Sequence, residues 1–436
     1  MVTSVIGKLF VKVYNEKYRT NYSVKDFFFE VFYPLFFDHP KYMMTAGNSP
    51  LENPKIKWDD MLKGKIRYES QERRQDRFKT MLSKIRNEGA DASTAVGYYS
   101  KDIMATTSGQ VTNMAIEIDE DTIFSSWIGH GLGLGVKGGL NILFFDSRIL
   151  LDIFDGWKYY RQSLNENKLL KGNQINAWNT QWLVHKYSRQ YQNKNEVAGF
   201  NPYLTENGII KVFPISWTKL LFGISRQYAD VQMMAYLYNI GQTNTTYGFL
   251  PFLLNEIRRP IDLYKKLFGP MMDHDSIEEL YGTAFGLSEF CKLGVIGLQA
   301  LEPKGVKDFI FTQRNQEKVK MPKSTQILEI TYKTYQIWIL AMLNNQELWD
   351  KSRTYAEVLH KFVYDNDKKN STKRKNLVEK VLSACNKRNF ISGLTDIIEE
   401  YSNNACIEMA QEVNMMSVEN VPYFLALIRF HFVSLN

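Results

Sequence analysis

The side chains able to do chemistry are few and scattered in this chain. Its six histidines, His39, His130, His185, His274, His360 and His431, form no H-E-x-x-H, H-x-H or H-R-D pattern. The tripeptide Asp273-His274-Asp275 could ligate a metal, since carboxylate and imidazole suit one. It could equally open a helix, where Asp caps the first N–H groups. Cys291, Cys385 and Cys406 make no CxxC pair, so neither a zinc knuckle nor a disulfide framework is indicated, and the cytoplasm is the expected compartment. No G-x-S-x-G nucleophile elbow is present, and the acidic run EIDED (117–121) is not followed by E-x-K at strand spacing. From these residues we assign no catalytic group, no metal and no cofactor.

The densest motif is WIGHGLGLGVKGGLNILFF (127–145), with glycines at 129, 131, 133, 135, 138 and 139. Glycine lets a backbone approach something closely. Within it, GLGVKG (133–138) has the letters of a dinucleotide fingerprint, but that motif opens a helix, whereas GLNILFF reads as a strand. A P-loop fails because Gly139 stands where Lys is required. Two readings remain: a turn lying on a nucleic-acid backbone, with Lys137 and Gly138 near a phosphate, or a close crossing of the chain's own strands.

Three amide-rich runs accompany it: TTSGQVTN (106–113), GNQINAWNTQW (172–182) and GQTNTTYG (241–248). Amides both donate and accept, so Gln110, Asn113, Asn173, Gln174, Asn176, Asn179, Gln242 and Asn244 could read base edges. Trp178 and Trp182, four apart, would share a helix face on which bases could stack. The same residue types are ordinary in turns, caps and cores.

These residues must be positioned by a chain of 436 residues, 44% hydrophobic and 14% aromatic, which excludes a disordered protein. No apolar run approaches a membrane span; the best, YQIWILAML (335–343), fits a buried helix. The start, MVTSVIGKLFVKVYNEK, reads as an amphipathic helix, not a signal peptide. The net charge of +7 is concentrated in blocks. Residues 61–90 hold nine Lys/Arg against four Asp/Glu, 304–323 six against two, and 365–390 eight against three. Such blocks are the footprint expected for a polyanion partner, and Lys368, Lys369, Lys373, Arg374, Lys375, Lys387 and Arg388 are the candidates in the last. Solvated helix faces would look the same.

The expected fold class is α+β. An aromatic, mixed α/β part (1–303) holds strands at VTNMAIEID, LNILFF and NGIIKVF, with 215–300 mostly helical. A basic connector (304–323) follows, then a helical bundle (324–436). Ser23 with Asp26, Asp275 with Glu278 and Ser276 with Glu279 fit helix starts, Pro34 and Pro40 should break the first helical region, and 69–88 reads as a charged helix closed by Gly89.

This layout, the ending VENVPYFLALIRFHFVSLN (418–436) and the basic joints KKNSTKRK (368–375) and NKR (386–388) resemble the large subunit of type I CRISPR effector complexes, the Cascade family. The cysteine pairs of some branches are absent here. The resemblance implies a subunit without catalysis of its own, partnered by guide RNA, double-stranded target DNA and the other subunits, with no membrane role. Its N-terminal part would read the motif flanking the target. Its helical part would hold the unwound strand, while guide pairing supplies specificity. It also makes Met321 a candidate internal start for a separate bundle. The competing expectations are a metal-dependent nuclease or hydrolase of a defence system, built around Asp273, His274 and Asp275, and a structural adaptor.

Overall fold

The computed structural model describes residues 1–46, 49–52, 57–99, 112, 114, 116–229, 231–239, 245–269, 274–282, 291–312, 318–364, 371–401 and 403–436. The fold is mixed α+β, with helix far outweighing strand. It divides into two compact units, Met1–Leu254 with Leu287–Ile296, and Asn255–Gly286 with Gly297–Asn436. The chain last passes from the first unit to the second between Ile296 and Gly297, seven residues ahead of the connector expected at 304–323.

In the first unit, α1 (Val2–Tyr18) is followed by one helical run: α2 (Val24–Phe27), a π-helical turn (Phe28–Phe32) and α3 (Tyr33–Phe36). Ser23 starts it as expected, accepting the Asp26 N–H at 3.0 Å. The helix passes Pro34, where a break was expected. The wider π turn just before it accommodates a residue that donates no N–H. The aromatic residues of this region are core: Phe10, Phe27, Phe28, Phe32 and Phe36 are fully buried, and Trp157 lies 4.7 Å from Phe36 and 6.0 Å from Phe10 between ring centroids. After α4 (Trp58–Leu62), α5 (Gln71–Glu88) matches the helix expected over 69–88 and ends at Gly89, whose φ of 78° suits glycine; Ser70 caps its start.

The expected strand at 111–119 is not formed by its described residues; the chain instead enters α6 (Glu120–Gly131), capped by Asp119. Gly129 and Gly131 are therefore helical. Next come the hairpin β1 (Leu134–Val136) and β2 (Leu140–Phe144), then α7 (Ser147–Asp155), α8 (Trp157–Glu166) and α9 (Ile175–Lys186). A small hairpin, β3 (Tyr203–Glu206) with β4 (Ile209–Val212), precedes α10 (Trp217–Gln227).

The region expected to be helical then supplies two long strands, β5 (Gln232–Asn239) and β6 (Thr245–Leu253). Buried Met233, Ala235 and Leu237 alternate with the more exposed Gln232, Met234 and Tyr236, a period of two that no helix can satisfy. The result is an antiparallel sheet in the order β1-β2-β5-β6.

The second unit contains α11 (Leu254–Phe268), which crosses the boundary between units, α12 (His274–Leu280) and the short pair β7 (Tyr281–Gly282) with β8 (Glu302–Pro303). The helices follow much as predicted: α13 (Ile330–Leu343), α14 (Glu347–Tyr364), α15 (Ser371–Leu382), α16 (Lys387–Glu400), α17 (Asn404–Met415) and α18 (Val421–Ser434). The apolar ending of the chain is the central helix, with Phe424 to Val433 buried all round. The stretch read as a connector is part of this core: Val306, Phe309 and Ile310 are buried, and Lys320 lies 5.4 Å over the Phe309 ring.

Arg429 knits this unit together. Its fully buried guanidinium donates to the carbonyls of Leu382 (2.8 Å) and Ala384 (2.9 Å) at the end of α15, and of Phe309 (2.8 Å). Burial pulls its pKa down to about 9. Arg429→Met leaves three buried carbonyls without donors and should cost about 3 kcal/mol in a urea unfolding curve. Arg429→Lys should recover only part of this, because one ammonium cannot span the fork. A chain beginning at Met321 would lack Phe309 and the α11–α12 region of this unit.

Candidate nucleic-acid interface

The glycine stretch has three structural roles. Its first part is a helix crossing. A Cβ on Gly129 would lie 2.8 Å from the Thr3 carbonyl carbon and nearer still to its oxygen. A Cβ on Gly7 would lie 2.7 Å from the Ser125 carbonyl carbon, so α1 and α6 touch backbone to backbone. The Ser4 and Ser125 hydroxyls meet across the crossing at 2.9 Å.

Its middle part lies against α9, and the amide run 172–182 does the holding. Asn176 Nδ2 donates to the carbonyls of His130 (3.1 Å) and Gly133 (3.0 Å). Asn179 Nδ2 donates to Gly131 (2.8 Å) and Gly133 (3.0 Å), and Thr180 Oγ1 to Gly135 (2.9 Å). Gln174 pairs with the Val212 backbone through both ends of its amide, and Asn173 takes a left-handed φ of 60° before α9. Gln174, Asn176 and Asn179 thus face the chain's own backbone, and Asn173 donates its backbone N–H to the Tyr42 carbonyl; Asn179 is fully buried. Trp178 and Trp182 are core as well, their indole N–H groups donating to the carbonyls of Gly156 and Asp152.

Its last part is the exposed turn Lys137–Gly139 between β1 and β2, where Gly138 (φ 96°) and Gly139 (φ 76°) need left-handed backbone. Leu140 pairs with Asn239, so this turn sits beside the ends of β5 and β6. Two motifs about 100 residues apart in sequence are thus anchored at one end of the sheet. Gln242 and Asn244, between those strand ends, lie outside the described residues, as do Gln110, Asn113, Lys368, Lys369 and Asp273.

The remaining basic candidates fall at two places. Helices α15 and α16 run antiparallel, with Gly393 packed on Val381 and Lys373 paired with Glu400. Lys373, Arg374 and Lys375 occupy one end of this pair. Lys387 and Arg388 lie past the other, about 18 Å along the axis by helix rise. Arg374 stacks over the Phe362 ring at 5.3 Å, and Lys387 donates to the Asn414 carbonyl at 2.8 Å. Lys375 and Arg388 are exposed. In the first block Arg74 and Arg77 are likewise held by Asp38 and Glu69.

The sequence reading missed the open face of the sheet. Met234 pairs with Pro251 and Tyr236 with Phe249, so the four share that face. Phe145, the residue after β2, donates its N–H to the Met234 carbonyl and continues the alternation of Asn141 and Leu143; those two and Tyr238 on the same side are buried, so the face is open only towards Phe145, Met234 and Phe249, away from the Lys137–Gly139 turn. Phe249 is 59% exposed, Phe145 55% and Met234 46%. The Tyr236 ring lies 5.1 Å from Phe249 and 5.7 Å from Tyr238. The Tyr238 hydroxyl in turn meets His130 Nδ1 at 2.9 Å. The signal was present in the alternation of QMMAYLYN and the aromatic residues of TTYGFLPFL.

Among the described residues no three His, Cys, Asp or Glu side chains stand together as a metal site, and no helix is long and apolar enough to cross a membrane. Helix α12 begins at His274, which puts Asp275 and Ser276 in its first turn, not at its cap.

Fold and surface together define a two-unit α+β protein whose first unit carries a sheet with exposed aromatic residues towards one end and a basic turn at the other. No family model, curated protein or solved structure matches this chain.

Proposed function

We propose that this chain is a non-catalytic, nucleic-acid-binding subunit of an RNA-guided, DNA-targeting assembly. In this reading the first unit reads the target-flanking motif and the helical unit holds the unwound strand by phosphate contacts. The observation that supports it is the gathering, at one end of the sheet, of the exposed Lys137–Gly139 turn and the ends of β5 and β6, on a sheet that also exposes aromatic residues towards its other end. Monomeric proteins seldom leave such faces uncovered without a partner.

Two measurements test it. Co-expression with the genomic neighbours, followed by affinity purification, should yield a uniform short RNA and several co-purifying proteins. A lone chain without RNA would refute the assembly. Binding to oligonucleotides should also fall steeply with salt. Lys137→Ala, Lys375→Ala and Arg388→Ala should weaken it alike on all sequences, each lowering the salt slope by about one.

A further inference from the structure

We propose that the open face of the sheet, formed by Phe145, Met234, Tyr236 and Phe249, is a platform on which unpaired bases of a single-stranded nucleic acid stack. This rests on the nucleic-acid reading above and names the strand type and the residues that would hold it.

Three features of the face favour bases over a protein surface. Its exposed members are mostly flat rings carried on neighbouring strands, as in sheets whose aromatic residues stack two or three bases. Two of the rings are held in place before binding: Phe249 packs 5.1 Å from Tyr236, which leans on Tyr238, itself fixed by His130, and the Tyr236 hydroxyl reaches Thr246 Oγ1 at 3.4 Å. Ordered rings lose less entropy when a ligand arrives. The charge also suits a polyanion. The residues that β2, β5 and β6 place on this face include no carboxylate. Asp146, next to Phe145, is held by the Arg148 guanidinium at 2.6 Å and caps α7. Lys137 stands exposed at the other end of the same sheet, with Leu140 about 17 Å along β2 from Phe145.

A single strand is the better ligand because a duplex keeps its base faces inside its own stack, whereas unpaired bases present theirs to any ring. Stacking on π-faces tolerates sequence. This face would therefore hold a strand without choosing its letters.

The test is a fluorescence titration of the whole chain with a short oligonucleotide carrying an emissive adenine analogue. It is run as single-stranded RNA, single-stranded DNA and the matching duplexes. Single strands should bind more tightly than duplexes and lose emission on stacking; the RNA and DNA arms separate a guide from a displaced target strand. Tyr236→Ala and Phe249→Ala should each weaken single-strand binding about tenfold while leaving the salt slope unchanged. Phe249→Trp should restore both affinity and quenching, which a merely structural role would not require. Leu328→Ala removes an exposed apolar side chain of the second unit and should change nothing. The proposal is overturned if the Tyr236/Phe249 double variant, folded by circular dichroism, binds single strands like the parent. It is also overturned if duplexes bind as well as single strands, or if a protein subunit and not the oligonucleotide shields residues 232–253 from hydrogen exchange. If the parent chain binds no oligonucleotide at all, the nucleic-acid reading itself falls.

Discussion

Gly129→Ala should cost about 3 kcal/mol or more of folding stability, at the upper end of what overpacking does, and Gly7→Ala should do the same. Overpacking is tolerable when the obstructing atom ends a flexible side chain. Here the obstruction is backbone: the Thr3 carbonyl faces Gly129 and the Ser125 carbonyl faces Gly7. One added methyl must drive α1 and α6 apart, breaking the Ser4–Ser125 hydrogen bond and disturbing the Thr3 Oγ1 bond to the Val96 carbonyl. Gly138→Ala is the control from the same motif. Its Cβ would meet nothing within 4 Å, so only the left-handed φ of 96° penalises it, by about 1 kcal/mol. Denaturant midpoints of the three variants should separate cleanly. Equal losses at 129 and 138 would mean that the crossing is looser than the geometry requires. Loss of nucleic-acid affinity in Gly138→Ala alone would assign the turn to binding and the crossing to folding.

That crossing also shows what the sequence withheld. Thr3-x-x-x-Gly7 and Ser125-x-x-x-Gly129 put small residues one helical turn apart on two helices, but the spacing becomes meaningful only once both segments are known to be helical. The glycine density of 129–139 argued for a loop. Propensity charges helical glycine about 1 kcal/mol, and here tight packing outweighs it. The bundle was legible because helices such as α14 and α16 carry a 3.6-residue periodicity, the apolar runs of α13 and α18 are long enough for buried helices, and polar joints separate them. Strands β5 and β6 were not, because Met, Ala, Leu and Tyr are at home in either structure and only the two-residue alternation distinguishes them.

The site was less legible than the fold for a related reason. Amides at 174, 176 and 179 have the donors and acceptors a base reader needs, and a buried backbone needs the same groups. Nothing local in the sequence says which partner they meet; the carbonyls of Gly131 and Gly133 decide it only after α9 docks on β1. The basic blocks behave alike. Lys373 and Glu400 are 27 residues apart and neutralise one another only because α15 and α16 run antiparallel. Exposure, the property that singles out Phe145 and Phe249, is set by what fails to cover them.

Acid should begin to destabilise the protein well above the pH at which ordinary carboxylates protonate. His130 in the first unit and His431 in the second are both about 7% exposed, and burial lowers each pKa from 6.5 to about 4. For His431 the Arg353 guanidinium adds to the effect, the imidazole packs edge-on against Trp349 at 4.5 Å, and its Nε2 has no partner among the described residues. The His130 Nδ1 meets the Tyr238 hydroxyl at 2.9 Å. Because the folded pKa lies below the unfolded one, the unfolded chain takes up the proton first. Stability is therefore complete above about pH 6.5, falls as the pH drops from 6.5 towards 4, and levels off for these groups below that. Each shift is worth about 3 kcal/mol, which is large beside the 5–15 kcal/mol of a typical domain. Melting temperature followed from pH 7 to pH 4 should fall in both units. His431→Phe, which keeps a ring against Trp349 and has no proton to gain, should flatten the decline of the second unit and leave that of the first. If the decline is unchanged in His431→Phe, then protonation of carboxylates, and not of this imidazole, governs the acid limit of the helical unit.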